Sequence, residues 1–227
     1  MKSICLTISI LSIALAFSAC NKDNTTAPNS ANVMFVNACN GSANIDTKVN
    51  GTKLSAGSNL AYFASSGYQS VTAGTGVGID FLVTALGTSL SNGTANFSAG
   101  SNYSVFAGGI ITAPTFVVTS DDVSAPTSGN AKVRFINLSS DALNESFYLG
   151  SSNQKLDSNI TMSAYTPYFE VAAGSAKVLV QDPLQPLNLA VINSQTFVAG
   201  KIYTIMLSGT ASGSGTAVLT LTVINNN

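Results

Sequence analysis

Histidine and tryptophan are both missing from the 227 residues of this chain. Without histidine, the Ser-His-Asp and Cys-His arrangements of nucleophilic catalysis are excluded, and the commonest zinc sites with them. Without tryptophan, the strongest ring for stacking on a sugar is gone. Charge is scarce as well: 8% of residues carry one, against roughly 25% in soluble domains. Formal charge is −1, so nothing here gives the electrostatic footprint of a nucleic-acid binder. No polybasic run is present to hold an anionic membrane surface. Cysteine occurs three times, at Cys5, Cys20 and Cys39, too few and too placed toward the start to build a disulfide framework. Solubility falls to Ser, Thr, Asn and Gly, as in many extracellular β-proteins.

What is present begins with a leader. Met1-Lys2-Ser3 makes a short positive start, and Ile4 to Phe17 is an apolar run broken only by Thr and Ser. It falls short of the roughly 20 residues that span a bilayer and reads as the core of a signal peptide. The run closes on Phe17-Ser18-Ala19-Cys20, which resembles the lipobox of bacterial lipoproteins. That resemblance implies cleavage before Cys20, with a covalent diacylglycerol on its thiol and an acyl chain on its amine, enough buried chains for stable membrane anchoring. Residues 1–19 are then the signal peptide and 20–30 a polar, Pro-containing tether. Asn21 is not the Asp that retains some lipoproteins at the inner membrane. Lys22-Asp23 resembles the charged export signal of surface lipoproteins, so the expected location is the outer membrane or cell surface of a Gram-negative bacterium.

After the tether the chain repeats itself. Ala31-Asn32-Val33-Met34-Phe35-Val36-Asn37 returns 100 residues later as Ala131-Lys132-Val133-Arg134-Phe135-Ile136-Asn137. The same offset relates Tyr68, Val71, Ala73 and Gly74 to Tyr168, Val171, Ala173 and Gly174, and Phe97, Ala99, Gly100 and Tyr103 to Phe197, Ala199, Gly200 and Tyr203. The chain reads as a tandem duplication: domain one over 31–123, a turn-rich linker over 124–130, domain two over 131–227. Short alternating runs bounded by turn residues predict strands near 32–38, 45–49, 60–64, 68–73, 78–85, 94–98, 103–107 and 115–119. In the second copy they predict 132–137, 146–149, 160–164, 168–172, 176–181, 188–197, 202–208 and 217–224. No helical period survives past residue 20. The fold class is all-β: two tandem antiparallel β-sandwiches, immunoglobulin-like in size. Positions that differ between copies, such as Met34 against Arg134, are where specificity is expected. The Ala-Gly elements read as hairpin parts, with Tyr103 and Tyr203 placing a ring on the core and a hydroxyl at the rim.

These blocks resemble the domain-of-unknown-function 4397 family. The resemblance rests on the Ala131-to-Phe135 strand, the Ser140-Asp141-Ala142 turn and the Ile45-to-Gly51 strand and hairpin. It also rests on the later Tyr…Val-x-Ala-Gly and Ala-Gly-x-x-Tyr segments. It spans nearly all of 31–224 as two copies and departs at Asn37 and Asn137, where the family often has His. It implies an extracytoplasmic β-rich module, often in tandem, and no assigned chemistry.

No catalytic constellation and no metal-binding loop emerges from the residues. Cys39 has no basic partner to activate it and reads as a small, partly buried residue. The carboxylates, among them Asp46, Asp121, Asp122, Asp141, Glu145, Glu170 and Asp182, share no repeat-equivalent position, and Asp121-Asp122 reads as turn capping in place of a calcium loop. The aromatics Tyr62 and Tyr68 in copy one, and Tyr165 and Tyr168 in copy two, are the candidate ligand contacts, for a sugar or a protein anchor. The leading expectation is an envelope lipoprotein presenting two β-sandwiches for non-catalytic binding, adhesion or assembly. The alternative is an accessory glycan-binding lipoprotein of a saccharide-uptake system, with a hydrolase ranked last.

Overall fold

The short alternating runs become strands throughout, and no helix forms among the described residues. The computed structural model describes residues 29–184, 188–212 and 218–227; the leader, Cys20 and most of the tether lie outside them. The first half contains β1 (Ser30–Asn37), β2 (Ile45–Val49), β3 (Thr52–Lys53), β4 (Ser65–Thr72), β5 (Gly74–Val83), β6 (Ser89–Phe97), β7 (Asn102–Ile110) and β8 (Ala113–Asp121). The second contains β9 (Asn130–Asn137), β10 (Glu145–Leu149), β11 (Gln154–Ile160), β12 (Phe169–Ala172), β13 (Gly174–Gln181), β14 (Asn188–Phe197), β15 (Ile202–Ser208) and β16 (Thr220–Asn225).

Each half is a sandwich of two four-stranded sheets with the same strand order. In the first, β4-β1-β7-β8 faces β3-β2-β5-β6; in the second, β12-β9-β15-β16 faces β11-β10-β13-β14. All pairs are antiparallel except β1 with β7 and β9 with β15, so the sheets are antiparallel-rich with one parallel seam each. Inside the first sandwich pack Val33, Phe35, Ile45, Ile79, Phe81 and Val105, and inside the second Val133, Phe135, Phe147, Val178, Val180 and Ile205. Phe35 meets Phe81 edge-on at 6.3 Å, and Phe135 stacks on Phe147 at 5.0 Å. The Ala-Gly turns at 99–100 and 199–200 behave as read. Gly100 and Gly200 adopt φ of 75° and 81°, and the hydroxyls of Tyr103 and Tyr203 accept from the N–H of Ser98 and Val198, each at 3.1 Å.

A third core lies between the two sandwiches. Met34, Val36, Ala38, Phe106 and Val117 from one half pack with Ile136, Leu138, Met206 and Ile224 from the other. Equivalent sheets therefore meet face to face, giving four stacked layers. The expectation that Met34 against Arg134 is a place for specificity is corrected: both are buried to 1%, because the outer face of each first strand is covered by the other half. Their difference sets how the halves fit and offers nothing to solvent. The alignment is also defined. Ser208 Oγ, at the end of β15, donates to the carbonyl of Ala38, just past the end of β1, at 2.7 Å. The β1–β2, β5–β6 and β7–β8 loops and their second-half counterparts thus gather at one end. The start of β1, the β8–β9 connection and the last residues lie at the other, about 30 Å away for strands of this length.

The strands expected over 60–64 and 160–164 do not form there. Phe63 and Ser163 take positive φ, near 68° and 64°, which breaks a strand across these stretches, and β11 ends at Ile160 just after Asn159, itself at φ near 59°. The chain in between is held by the repeated Asn. Asn37 Nδ2 donates to the carbonyls of Leu60 (3.1 Å) and Ala43 (3.4 Å), while its Oδ1 accepts from Ser42 Oγ (3.0 Å). Asn137 does the same with Ile160 (3.1 Å), Ala142 (2.8 Å) and Ser139 Oγ (2.6 Å). Both side chains are fully buried, and each ties the β1–β2 or β9–β10 loop to the chain around Leu60 or Ile160 through buried hydrogen bonds.

Candidate functional site

The four tyrosines divide three to one. Tyr68 and Tyr168 lie at the seam between the sandwiches. Tyr68 donates its hydroxyl to Asp121 Oδ2 at 2.6 Å, and burial together with the Asp121 carboxylate raises its pKa well above the ordinary value. The ring of Tyr168 lies under the Arg134 guanidinium at 4.9 Å, and burial pushes its hydroxyl up to about 12. Tyr62 stacks on Phe63 with centroids 3.8 Å apart. Its hydroxyl lies 2.9 Å from Ser208 Oγ in the other half and accepts from Asn40 Nδ2 at 3.1 Å. Tyr165 is 45% exposed and bridges to Ile136 only through backbone. These rings serve the seam, and Tyr165 is the one that presents itself to solvent.

The polar centre of that seam is a buried ion pair. Arg134 Nη2 and Asp121 Oδ1 are 2.7 Å apart with side chains 1% and 0% exposed, close in distance but off the hydrogen-bonding angle. Arg134 Nε donates to Thr204 Oγ1 at 2.8 Å and Nη1 to the Ser120 carbonyl at 3.2 Å. Asp121 accepts from Ser104 Oγ (2.6 Å) and Thr119 Oγ1 (3.0 Å). The neighbouring Asp122 accepts from Lys132 Nζ and Ser124 Oγ, at 2.7 and 2.6 Å, and the Lys132 bond holds its carboxyl down at about 2. Asp121-Asp122 is thus occupied by side chains and backbone. Cys39 is completely buried, and burial pushes its thiol up to about 11, so it stays protonated and unreactive at neutral pH.

Two features escape a reading of residue types. The first is a lateral cleft repeated in both halves where β4 or β12 passes the β2–β3 or β10–β11 hairpin. It measures about 260 Å³ beside Val49, Asn50 and Ser70 and about 390 Å³ beside Leu149, Gly150 and Glu170. Of its lining only Val71 and Val171 recur between copies and no polar group does, which is why no motif marks it. The second is the loop end, where exposed apolar side chains gather. Leu86 is 73% and Leu184 84% exposed, with Ile111, Leu143 and Val218 also open to solvent. A single exposed Leu is ordinary; here several share one end of two aligned sandwiches, where Leu143 and Leu184 line one cavity and Leu86 follows β5 of the opposite outer sheet. The signal was present as large apolar residues inside turn-rich loops.

A family model for a domain of unknown function, DUF4397, matches residues 31–148, which is the first sandwich together with β9 and most of β10. No curated protein sequence matches the chain. Among solved structures, a candidate cell adhesion protein from Bacteroides uniformis ATCC 8492 is similar at 10% identity and TM-score 0.29, covering 88% of this chain and 100% of its own. Another from Bacteroides fragilis NCTC 9343 is similar at 11% identity and TM-score 0.25, covering 87% of this chain and 98% of its own. Likeness at that level carries no argument about either fold or function.

Proposed function

The chain belongs to the DUF4397 family, and from that premise we propose that it is a lipid-anchored protein of the outer membrane or cell surface that binds a partner without catalysis. In this reading Cys20 carries a diacylglycerol and an acyl chain, no other cofactor is needed, and residues 31–123 and 131–227 are two copies of the family domain. The observation that carries the binding role is the apolar loop end, with Leu86, Ile111, Leu143, Leu184 and Val218. It lies at the opposite end of the strands from Ser30, where the tether enters β1. A module anchored at its base and apolar at its tip is arranged to meet a partner away from the membrane. The buried seam makes the two sandwiches one stiff unit, so the tip loops of both halves are offered together. The complete lack of histidine supports a non-catalytic role.

A glycan-binding reading rests on Tyr165, whose ring is open to solvent and suited to stack on a sugar. Two measurements test the proposal. Radioactive fatty acid should label the wild type and not Cys20→Ala; equal labelling of both, or of neither, removes the anchor. Glycan and matrix-protein arrays probed with the full chain should give saturable binding to at least one class, and silence on both removes the binding role.

A further inference from the structure

The loop end of the second sandwich holds two carboxylates where the first sandwich has the aliphatic pair Ile45 and Val83. Ile45 opens β2, fully buried, and pairs across the sheet with Val83. At the matching start of β10 stands Glu145, buried to 2%. One step beyond the Ser146–Gln181 pair, the register sets Asp182 opposite it. Like charges directly across a sheet are destabilising, and a buried carboxylate with no counter-charge is costly. Glu145 Oε2 has no hydrogen-bond partner. Burial, and then the like charge of Asp182, lifts its carboxyl to about 7 against a hydrogen bond from the backbone of Asn144. The fold does not require an acid here, because the other copy builds the same position from Ile45 and Val83.

Glu145, Asp182 and Asp141 line one cavity of about 180 Å³, walled by Leu143, Leu184 and Leu189, many times the space one water needs. Two of the three acids are partly spoken for. Asp141 accepts from the N–H of Ala211 at 2.6 Å and from Ser212 Oγ at 3.1 Å, and Asp182 from the N–H of Leu184 at 2.8 Å. Calcium wants six to eight oxygens, and among the described residues no three acidic or thiol groups converge as metal ligands. A sugar needs hydrogen-bonding groups that leucine walls do not supply, so glycoside cleavage finds little purchase. A cation on an apolar stem fits both the acids and the leucines.

We propose that this cavity receives a lysine side chain of a partner protein, its ammonium between Glu145 and Asp182 and its methylenes against Leu143, Leu184 and Leu189. The inference rests on the reading of the chain as a binding module, and its test stands apart from that reading because it uses a small probe in place of the partner.

The full chain, with labelled leucine methyls, is titrated with Nα-acetyl-lysine methylamide and followed by NMR. The expected result is a saturable shift at Leu143 and Leu184 that the neutral norleucine and Nε-acetyl-lysine analogues do not produce. Glu145→Gln should weaken it at least about tenfold, as loss of a buried charge partner does. Glu145→Ile with Asp182→Val, which installs the residues of the first copy, should fold and abolish it. Equal binding by Glu145→Gln, equal shifts with the neutral analogues, or calcium binding in place of the amine each overturns the proposal. Array binding that survives while the lysine probe fails would refute this site and leave the binding role standing.

Discussion

Replacing Arg134 with methionine, the residue at the matching position 34, strands a carboxylate in the seam between the sandwiches. Asp121 would keep the hydroxyls of Tyr68, Ser104 and Thr119, all within 3.0 Å, but lose its ion-pair partner, 2.7 Å away. Breaking a buried pair costs about 3–5 kcal/mol; three remaining donors place Arg134→Met near the lower bound, about 3 kcal/mol. The strand register makes Asn226 the counterpart of Asp121: Asn226 follows β16 and accepts from Thr204 as Asp121 accepts from Ser104. Asp121→Asn alone leaves the guanidinium buried beside Thr204 and Tyr168 and should also cost about 3 kcal/mol. The double variant restores on this side the neutral chemistry that the other side already has. It should cost under about 2 kcal/mol, a coupling of several kcal/mol between contacting residues. Urea unfolding of the four proteins, with a common slope, measures this directly. Additive losses summing to about 6 kcal/mol would refute the pairing and the pseudo-symmetry behind it.

Other expectations follow from single side chains. Asn137→Ala removes donors to Ile160 and Ala142 and the acceptor for Ser139, and should destabilise by about 2–4 kcal/mol in urea unfolding; a loss under 0.5 kcal/mol would show that the loops hold themselves. A Cβ at Gly93 would lie 2.5 Å from the Phe116 ring, so Gly93→Ala should lower stability by about 1–3 kcal/mol through overpacking, readable as a fall in Tm. For Glu145 the folded-state pKa is raised from 4.5 to about 7, so the native state holds the proton more tightly than the unfolded chain. Its contribution is therefore fully favourable below about pH 4.5 and lost as pH rises through 7. Wild type should lose on the order of 2–3 kcal/mol between pH 4.5 and 8 relative to Glu145→Gln, and parallel pH profiles would contradict the burial of an unpaired carboxyl.

The repeat was the most legible part of the fold. Ala31–Asn37 and its copy mark β1 and β9, and the Phe97…Tyr103 block and its copy mark the turn and the tyrosine that closes it. The seam was less legible because periodicity describes a strand, and does not say what covers its second face. The clue lay in Val33-Met34-Phe35-Val36, four apolar residues in a row, the pattern of a strand buried on both sides. The strands expected over 60–64 and 160–164 give way to loop because Phe63 and Ser163 turn the chain with positive φ that their Ala and Tyr neighbours do not advertise. Glu145 stood in view: at the repeat offset it replaces Ile45. Only cross-strand register reveals that Asp182 faces it, because the two lie 37 positions apart in the chain.

The central claim is that the loop end meets the partner, and one array experiment tests it most directly. The full chain is compared with a loop-end variant carrying Leu86→Ser, Leu143→Ser and Leu184→Ser, and with Lys155→Ser in the β10–β11 hairpin at the opposite end. All four side chains are exposed, so the three proteins should share one stability. The account predicts that binding falls at least about tenfold in the leucine variant and is unchanged in Lys155→Ser. Binding that survives the loss of the three leucines, or disappears with Lys155, would contradict it.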